Sequence, residues 1–235
     1  MLQTEKLTAG YKELKVIFDI NAKIHPKKIT AIVGPNGSGK STLLKAIFGL
    51  ATVHSGRIIY NGKDITNLAP HEKTKIGMAY LPQVENVFTN LTVEENLKIA
   101  GYILDKSELR ERMDLAFEVF PELKNKIKQK VGTLSGGERQ FLAIATALIR
   151  KSKILMLDEP TAQLAPKFAE IIFNRIVELR DRLDLTIVLV EQNVKKALEI
   201  SDRAYLLTSG RIVFDGKSDD LLSHEKFEQL CLGVV

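Results

Sequence analysis

The chain carries a single cysteine, Cys231. One thiol cannot close an intrachain disulfide, and a cysteine-ligated zinc site is not expected. Long apolar runs are lacking as well. Stretches such as Ile154–Leu157 and Ile187–Val190 fall far short of the roughly 20 residues a membrane span requires. The opening segment, MLQTEKLTAG, has no apolar h-region and no cleavage site, so no signal peptide is expected. Internal repeats and low-complexity segments are missing too. Together these absences predict a soluble, cytosolic chain. His25, His54, His71 and His224 are scattered without ligand spacing, and they read as surface or packing residues. Cys231 reads as a small packing residue.

What is present is ordinary for a globular protein. Of 235 residues, 45% are apolar and 27% charged, values that exclude disorder and a collagen-like chain. A chain of this length buries roughly 70% of its unfolded surface, enough for a full core, either as one large domain or as one core with a small inserted lobe. The 34 Lys and Arg against 29 Asp and Glu give a net charge of +5, spread along the sequence. Any anionic ligand or surface would suit that excess, so it makes a weak case for nucleic acid.

Three short runs rich in β-branched residues, Ile29–Val33, Ile154–Leu157 and Thr186–Val190, are patterned as strands buried on both faces. Helical patterns lie between them at Lys40–Leu50, Gly137–Arg150 and Pro166–Arg180. Alternation of this kind predicts a mostly parallel sheet with helices on its faces. Leu2–Leu7, Val16–Ile24, Arg57–Tyr60 and Ala204–Leu207 alternate only partly, the last two running into Asn61-Gly62 and Ser209-Gly210 turns. These four segments are expected to form an antiparallel β portion. Residues 84–133 show no clear strand. Thr92 with Glu95 makes a capping box, and Glu108 with Arg112 an i,i+4 pair. A helical insert is predicted there, interrupting a core made of residues 1–83 and 134–235. Its basic end, Lys124–Lys130, is either a solvated face or a contact surface for an anionic membrane or partner.

Three motifs carry chemistry. Gly34, Pro35, Asn36, Gly37, Ser38, Gly39, Lys40 and Ser41 fit G-x-x-x-x-G-K-[ST] between a predicted strand and a predicted helix, the context of a phosphate-binding loop. Glycines let backbone N–H groups converge on phosphate oxygens, and the helix N-terminus adds its dipole. Lys40 offers a charge to the β- and γ-phosphates and Ser41 a hydroxyl to Mg²⁺, with Thr42 following in the helix. The second motif is Asp158-Glu159-Pro160 at the end of an apolar strand. Open α/β sheets bind ligands at strand C-termini, so Asp158 is placed to hold Mg²⁺ and Glu159 to orient and deprotonate a water. The third is Leu134-Ser-Gly-Gly-Glu-Arg-Gln140. Ser135 and Glu138 form a capping box, and on local grounds that is a sufficient account. Gly136 and Gly137 would also expose helix N–H groups to an anion, and Gln140 closes the stretch. A second anion-reading helix start, beside a loop that already cradles one nucleotide, suggests a nucleotide held by another chain.

The combination resembles the ATP-binding cassette ATPases, the nucleotide-binding subunits of ABC transporters. LSGGERQ between the phosphate loop and the Asp158 strand is that family's signature, and the motifs together span nearly the whole chain. The resemblance implies a P-loop NTPase core, ATP and Mg²⁺ as ligands, and a head-to-tail dimer in which Ser135, Gly136 and Gly137 contact the partner's ATP. It implies a separate integral-membrane permease, a solute-binding protein acting indirectly, a peripheral position on the inner face of the cell membrane and no nucleic acid. Tyr11 matches the aromatic that stacks on adenine, with a half-buried packing tyrosine as the alternative. Gln83 matches a glutamine that touches Mg²⁺ and links the insert to the core, Glu159 the catalytic base, and Gln192 a switch position where most of the family has histidine. A glutamine can donate to the γ-phosphate but cannot titrate, so hydrolysis is expected to depend on Glu159. Ala165 stands where the family often has an aspartate.

Within the family, the segments Phe88–Leu97, Val190–Asn193, Leu164–Pro166 and Cys231–Gly233 are most similar to the cassettes that energise importers of branched-chain, hydrophobic amino acids. The alternatives are a lipid or lipopolysaccharide exporter ATPase, whose members commonly keep the histidine, and a soluble translation or repair ATPase. Translation types usually carry two cassettes in one chain, and repair types a long coiled coil. A P-loop kinase or GTPase would leave LSGGERQ unexplained.

Overall fold

The computed structural model describes residues 1–84, 86–225, 227 and 229; the readings of Cys231 and of Cys231–Gly233 lie outside them. In chain order the elements are β1 (Leu2–Tyr11), β2 (Leu14–Ile24), β3 (Ile29–Val33), α1 (Lys40–Phe48), β4 (Thr52–Tyr60), β5 (Lys63–Asp64), α2 (Pro70–Lys75) and β6 (Met78–Leu81). Then follow α3 (Val93–Ala100), α4 (Lys106–Val119), α5 (Pro121–Lys124), α6 (Gly136–Ile149), β7 (Ile154–Asp158), α7 (Pro166–Leu183), β8 (Thr186–Val190), α8 (Val194–Glu199), β9 (Arg203–Thr208), β10 (Arg211–Lys217) and α9 (Ser218–Leu222).

The three runs patterned as doubly buried strands are β3, β7 and β8. They sit together in a six-stranded sheet of order β10-β9-β3-β8-β7-β6, parallel except for β10. Their alternate residues face two different cores. Ile29, Ala31, Val33, Leu155, Leu157, Ile187 and Leu189 pack with the buried residues of α6, α7 and α8. Ile32, Ile154, Met156, Val188 and Val190 pack with α1 and the inner residues of β1, β2 and β4. Cover on both faces explains why these strands contain no polar position before Asp158 except the sheet-lining threonines.

The antiparallel portion is a second sheet of order β2-β1-β4-β5. Asn61 and Gly62 both adopt positive φ between β4 and β5, the conformation of a tight hairpin turn. Ala204–Leu207 does not belong to this sheet, contrary to the sequence expectation. As β9 it pairs in parallel with β3 and antiparallel with β10. Partial alternation reports that one strand flank is less apolar, and it cannot say which sheet the strand joins.

Between β6 and α6 the chain is helical, with α3, α4 and α5. Thr92 accepts from the Glu95 N–H, and Glu95 accepts from the Thr92 N–H at 2.7 Å, as a capping box requires. Asp105 caps α4 by accepting from the Glu108 N–H at 2.8 Å. Glu108 pairs with Lys151 rather than Arg112, because the end of α6 delivers a cation to it from outside the helix. Stacking of Phe120 on Phe141 of α6, centroids 5.5 Å apart, ties this segment to the core. Its buried residues Val93, Leu97, Ala116 and Leu123 join the same apolar cluster as α6. Among the described residues no helix is long and apolar enough to cross a membrane.

Candidate functional site

The parallel register sets the strand ends side by side. Leu81 pairs with Leu157, Asp158 with Val190, Ile32 with Val190 and Val33 with Leu206. Gly34 after β3, Gln83 after β6, Asp158 and Glu159 at β7, and Gln192 after β8 therefore emerge at one edge of one sheet, where α/β folds bind ligands.

The loop after β3 needs glycine for two separate reasons. Gly34 has φ of 143°, and a Cβ there would lie 2.1 Å from the Leu207 carbonyl oxygen. Gly39 precedes α1 at φ of 101°, where a Cβ would meet Ile17 at 2.6 Å. The residue before α1 is Gly39, which makes no side-chain cap bond, so among the described residues no capping side chain takes up the first-turn N–H groups. Lys40 is buried, and its ammonium donates to the carbonyls of Gly34 and Pro35, both at 2.9 Å. Burial pulls its pKa down, opposed by the carboxylates of Glu159 and Asp158. The Ser38 hydroxyl is buried without a partner among the described residues. Asn36 and Gly37 are exposed at the loop tip. Thr42 lies 3.5 Å from the hydroxyl of Tyr11, whose ring is 41% exposed, with the Lys45 ammonium 5.9 Å from its centroid.

Asp158 joins this loop to the sheet. It accepts from the Ser41 hydroxyl at 2.7 Å through Oδ1 and from the Tyr80 hydroxyl at 2.8 Å through Oδ2. Burial, and then the neighbouring Asp158 charge, push the Tyr80 phenol pKa up, so it stays a donor. Glu159 follows in the left-handed region at φ of 51°, a strained conformation for a residue with a Cβ. Its N–H donates to the Val190 carbonyl at 2.9 Å. Its Oε2 accepts from Gln83 Nε2 at 2.9 Å and from Gln192 Nε2 at 2.7 Å. Oε1 makes no hydrogen bond within the chain among the described residues, which leaves one lone-pair face of the carboxylate open to a water.

Lys40, Ser41, Asp158, Glu159, Gln83 and Gln192 thus form one cluster. Ser135, Gly136, Gly137 and Gln140 form another. Ser135 and Glu138 complete the capping box, with Glu138 Oε2 accepting from the Ser135 N–H at 2.9 Å and Lys126 bridging Glu138 at 2.7 Å. Ser135 and Gly136 are exposed, and Gly137 is buried against Phe168. Gln140 accepts from Asn86 Nδ2 at 3.1 Å. A cavity lined by Gln83, Asn86, Gly136, Gln140 and Gln163 separates this helix start from the Glu159 cluster.

Comparison with known proteins decides what this arrangement is. The family described as ABC transporter matches residues 17–162. A relative from Archaeoglobus fulgidus, named probable branched-chain amino acid transport ATP-binding protein LivF, is 68% identical over the full length of both chains. The chain belongs to the ABC transporter family. It is an ABC ATPase, a nucleotide-binding cassette. The high-affinity branched-chain amino acid transport ATP-binding protein BraG of Pseudomonas aeruginosa is 40% identical over 99% of this chain and all of that one. The lipopolysaccharide export system ATP-binding protein LptB of Haemophilus influenzae is 34% identical over 99% and 97%. The ADP conformation of an ATP-binding cassette of an ABC transporter superposes with a TM-score of 0.88 at 28% identity, covering 99% and 98%. A dimeric cassette bound to ADP and Pi gives 0.82 at 26%, covering 93% and 99%.

The cassette's residues fit a nucleotide-borne Mg²⁺. Among the described residues no group of three or more His, Cys, Asp or Glu could hold a metal. Ser41 and Asp158 instead offer two hard oxygen donors already 2.7 Å apart, which leaves most positions to phosphate and water, as Mg²⁺ prefers. Sequence reasoning missed Tyr80 and Glu191. Tyr80 reaches Asp158 only across the β6–β7 pairing, and no local motif marks it. Glu191 stood beside Gln192 in plain view but reads as one more surface carboxylate until its burial is known.

Proposed function

We propose that this cassette hydrolyses ATP as the energising subunit of an importer of branched-chain or other hydrophobic amino acids. The observation that carries the hydrolytic reading is the placement of Glu159: one oxygen held by Gln83 and Gln192, the other open, beside the Ser41–Asp158 pair. The cargo class is supported by the names of the relatives at 68% and 40% identity. The loop Gly34–Thr42 wraps the phosphates with its N–H groups, and Tyr11 offers an exposed ring to adenine. Lys40 exchanges its two carbonyl partners for β- and γ-phosphate oxygens. Ser41, Asp158 and Gln83 would hold Mg²⁺, which when bound neutralises charge on the phosphates. Glu159 orients a water through its open oxygen and takes its proton. Gln83 and Gln192, donating to the other oxygen, keep the carboxylate aimed.

Two cassettes close head to tail, this chain with itself or with a related one. Ser135, Gly136, Gly137 and Gln140 then read the partner's γ-phosphate. Residues 1–83 and 134–235 act as the catalytic core and 84–133 as a helical lobe. That lobe passes closure to an integral-membrane permease, and through it indirectly to a solute-binding protein. The cassette works in the cytoplasm, peripheral to the inner face of the membrane.

Lys40→Ala should mainly weaken ATP binding, whereas Glu159→Gln should keep binding and trap an ATP-bound dimer. Light scattering with ATP and Mg²⁺ distinguishes them, and a monomeric Glu159→Gln under those conditions would count against the sandwich. For the cargo, vesicles holding the cassette with its permease and solute-binding protein should accumulate labelled leucine. Failure to do so, with ATPase intact, would overturn the import assignment alone.

A further inference from the structure

Glu191 plays no part in the chemistry above, yet it is one of the most buried charged groups in the molecule, 1% exposed. Its Oε1 accepts from the Thr161 N–H at 2.9 Å and from the Thr161 hydroxyl at 2.8 Å, and its Oε2 accepts from the Gln192 N–H at 3.1 Å. A carboxylate withdrawn from water is retained only where donors replace the water, and here the donors come from two segments of the site, Thr161 on one side and the Gln192–Asn193 backbone on the other. Thr161 lies two residues after Glu159, and Gln192 is the residue whose amide grips Glu159. Glu159, Pro160, Thr161, the Glu191 carboxylate and Gln192 therefore close a ring through the chain. Inside that ring Glu159 holds a left-handed φ of 51°. Such strain persists only where the surroundings over-determine it. The restraints on that backbone are the Val190 carbonyl accepting from the Glu159 N–H, the Ala162 N–H donating to the Glu159 carbonyl at 3.1 Å, and Glu191 accepting from Thr161.

We propose that Glu191 is a positioning residue for ATP hydrolysis, its buried carboxylate fastening Thr161 to the Gln192 backbone and so holding Glu159 within reach of the Gln192 amide. This rests on the assignment of Glu159 as the base. Glu191 touches neither nucleotide nor water. It acts through the two residues it fastens, so its loss should change turnover and leave ATP affinity alone.

The test uses the full chain and compares Glu191→Gln, Thr161→Val, Gln192→Ala and the Glu191→Gln/Gln192→Ala double variant, measuring steady-state ATPase and equilibrium ATP binding. Glu191→Gln preserves volume but sets an NH₂ group against N–H donors. Its kcat should fall roughly 10- to 100-fold, the cost of a misplaced reacting group, with ATP affinity unchanged. The double variant should be no slower than the slower single variant, since both changes break one device. Unchanged kcat in Glu191→Gln, parallel losses of kcat and affinity, or losses that multiply in the double variant would each overturn the proposal. Should Glu191→Gln fail to fold, Thr161→Val decides: a fall in kcat at constant affinity supports the tether, and wild-type kcat overturns it. Glu159→Gln runs alongside as the control on the underlying reading. If it retains turnover, the base assignment fails whatever Glu191 does.

Discussion

Replacing Gln192 by alanine separates two accounts of this site. A histidine at the switch position can carry a proton; a glutamine can only donate a hydrogen bond. In the structure that bond goes to Glu159 Oε2 at 2.7 Å. A hydrogen bond to a charged group contributes about 1.5–3 kcal/mol net. Gln192 is exposed, so water competes for the carboxylate and the lower end applies. The Gln83 donor at 2.9 Å stays on the same oxygen after the substitution. A loss of about 1.5 kcal/mol in the transition state slows turnover roughly tenfold. Glu159→Gln removes the base itself, whose contribution is roughly a hundred- to ten-thousand-fold. Phosphate release at saturating ATP and Mg²⁺, measured on the two variants together, reads the difference. Gln192→Glu should be slower than Gln192→Ala, because a second carboxylate would repel Glu159. Should Gln192→Ala prove as inactive as Glu159→Gln while still binding ATP, the view that glutamine here aims the base would be refuted.

Three further substitutions test the scaffold. Lys73 of α2 is fully buried, donates to the Ile47 carbonyl at 2.8 Å, and has its pKa pushed down to about 8 by burial. The unfolded chain holds that proton until about pH 10.4, so stability should rise between about pH 8 and 10 and be lost again as pH falls through 8. Denaturant titrations should show this rise, on the order of 2 kcal/mol, in the wild type and not in Lys73→Met; parallel curves would refute it. In α6, Gly136→Ala should fold normally, its Cβ meeting only Leu164 at 3.4 Å, whereas Gly137→Ala should lower the melting temperature because its Cβ would lie 2.4 Å from Phe168. Equal melting temperatures would show that Phe168 yields freely.

The chemistry-bearing segments of this cassette are local in sequence, and for that reason they are legible. The loop at Gly34–Ser41 needs its glycines and lysine at fixed spacing, and Asp158-Glu159 must end an apolar strand. Ser135 with Glu138 must open a helix, and each of these constraints acts within about eight residues. The boundaries of β3 and β8 likewise follow from burial on both faces. What pairs across the fold leaves no such trace. Nothing near Ala204–Leu207 states that it joins β3 rather than β1, because strand alternation encodes a face and not a neighbour. Glu108 finds Lys151 instead of Arg112 because α6 ends beside it.

The Gln192–Glu159 contact, the Tyr80 donor to Asp158 and the burial of Glu191 are decided by the parallel register, which aligns the ends of four strands that lie far apart in the chain. The amino-acid sequence determined which groups this protein brings to a phosphate. The tertiary structure decided which of them hold one another in place, since a hydrogen bond between strand ends exists only once the sheet has set them side by side.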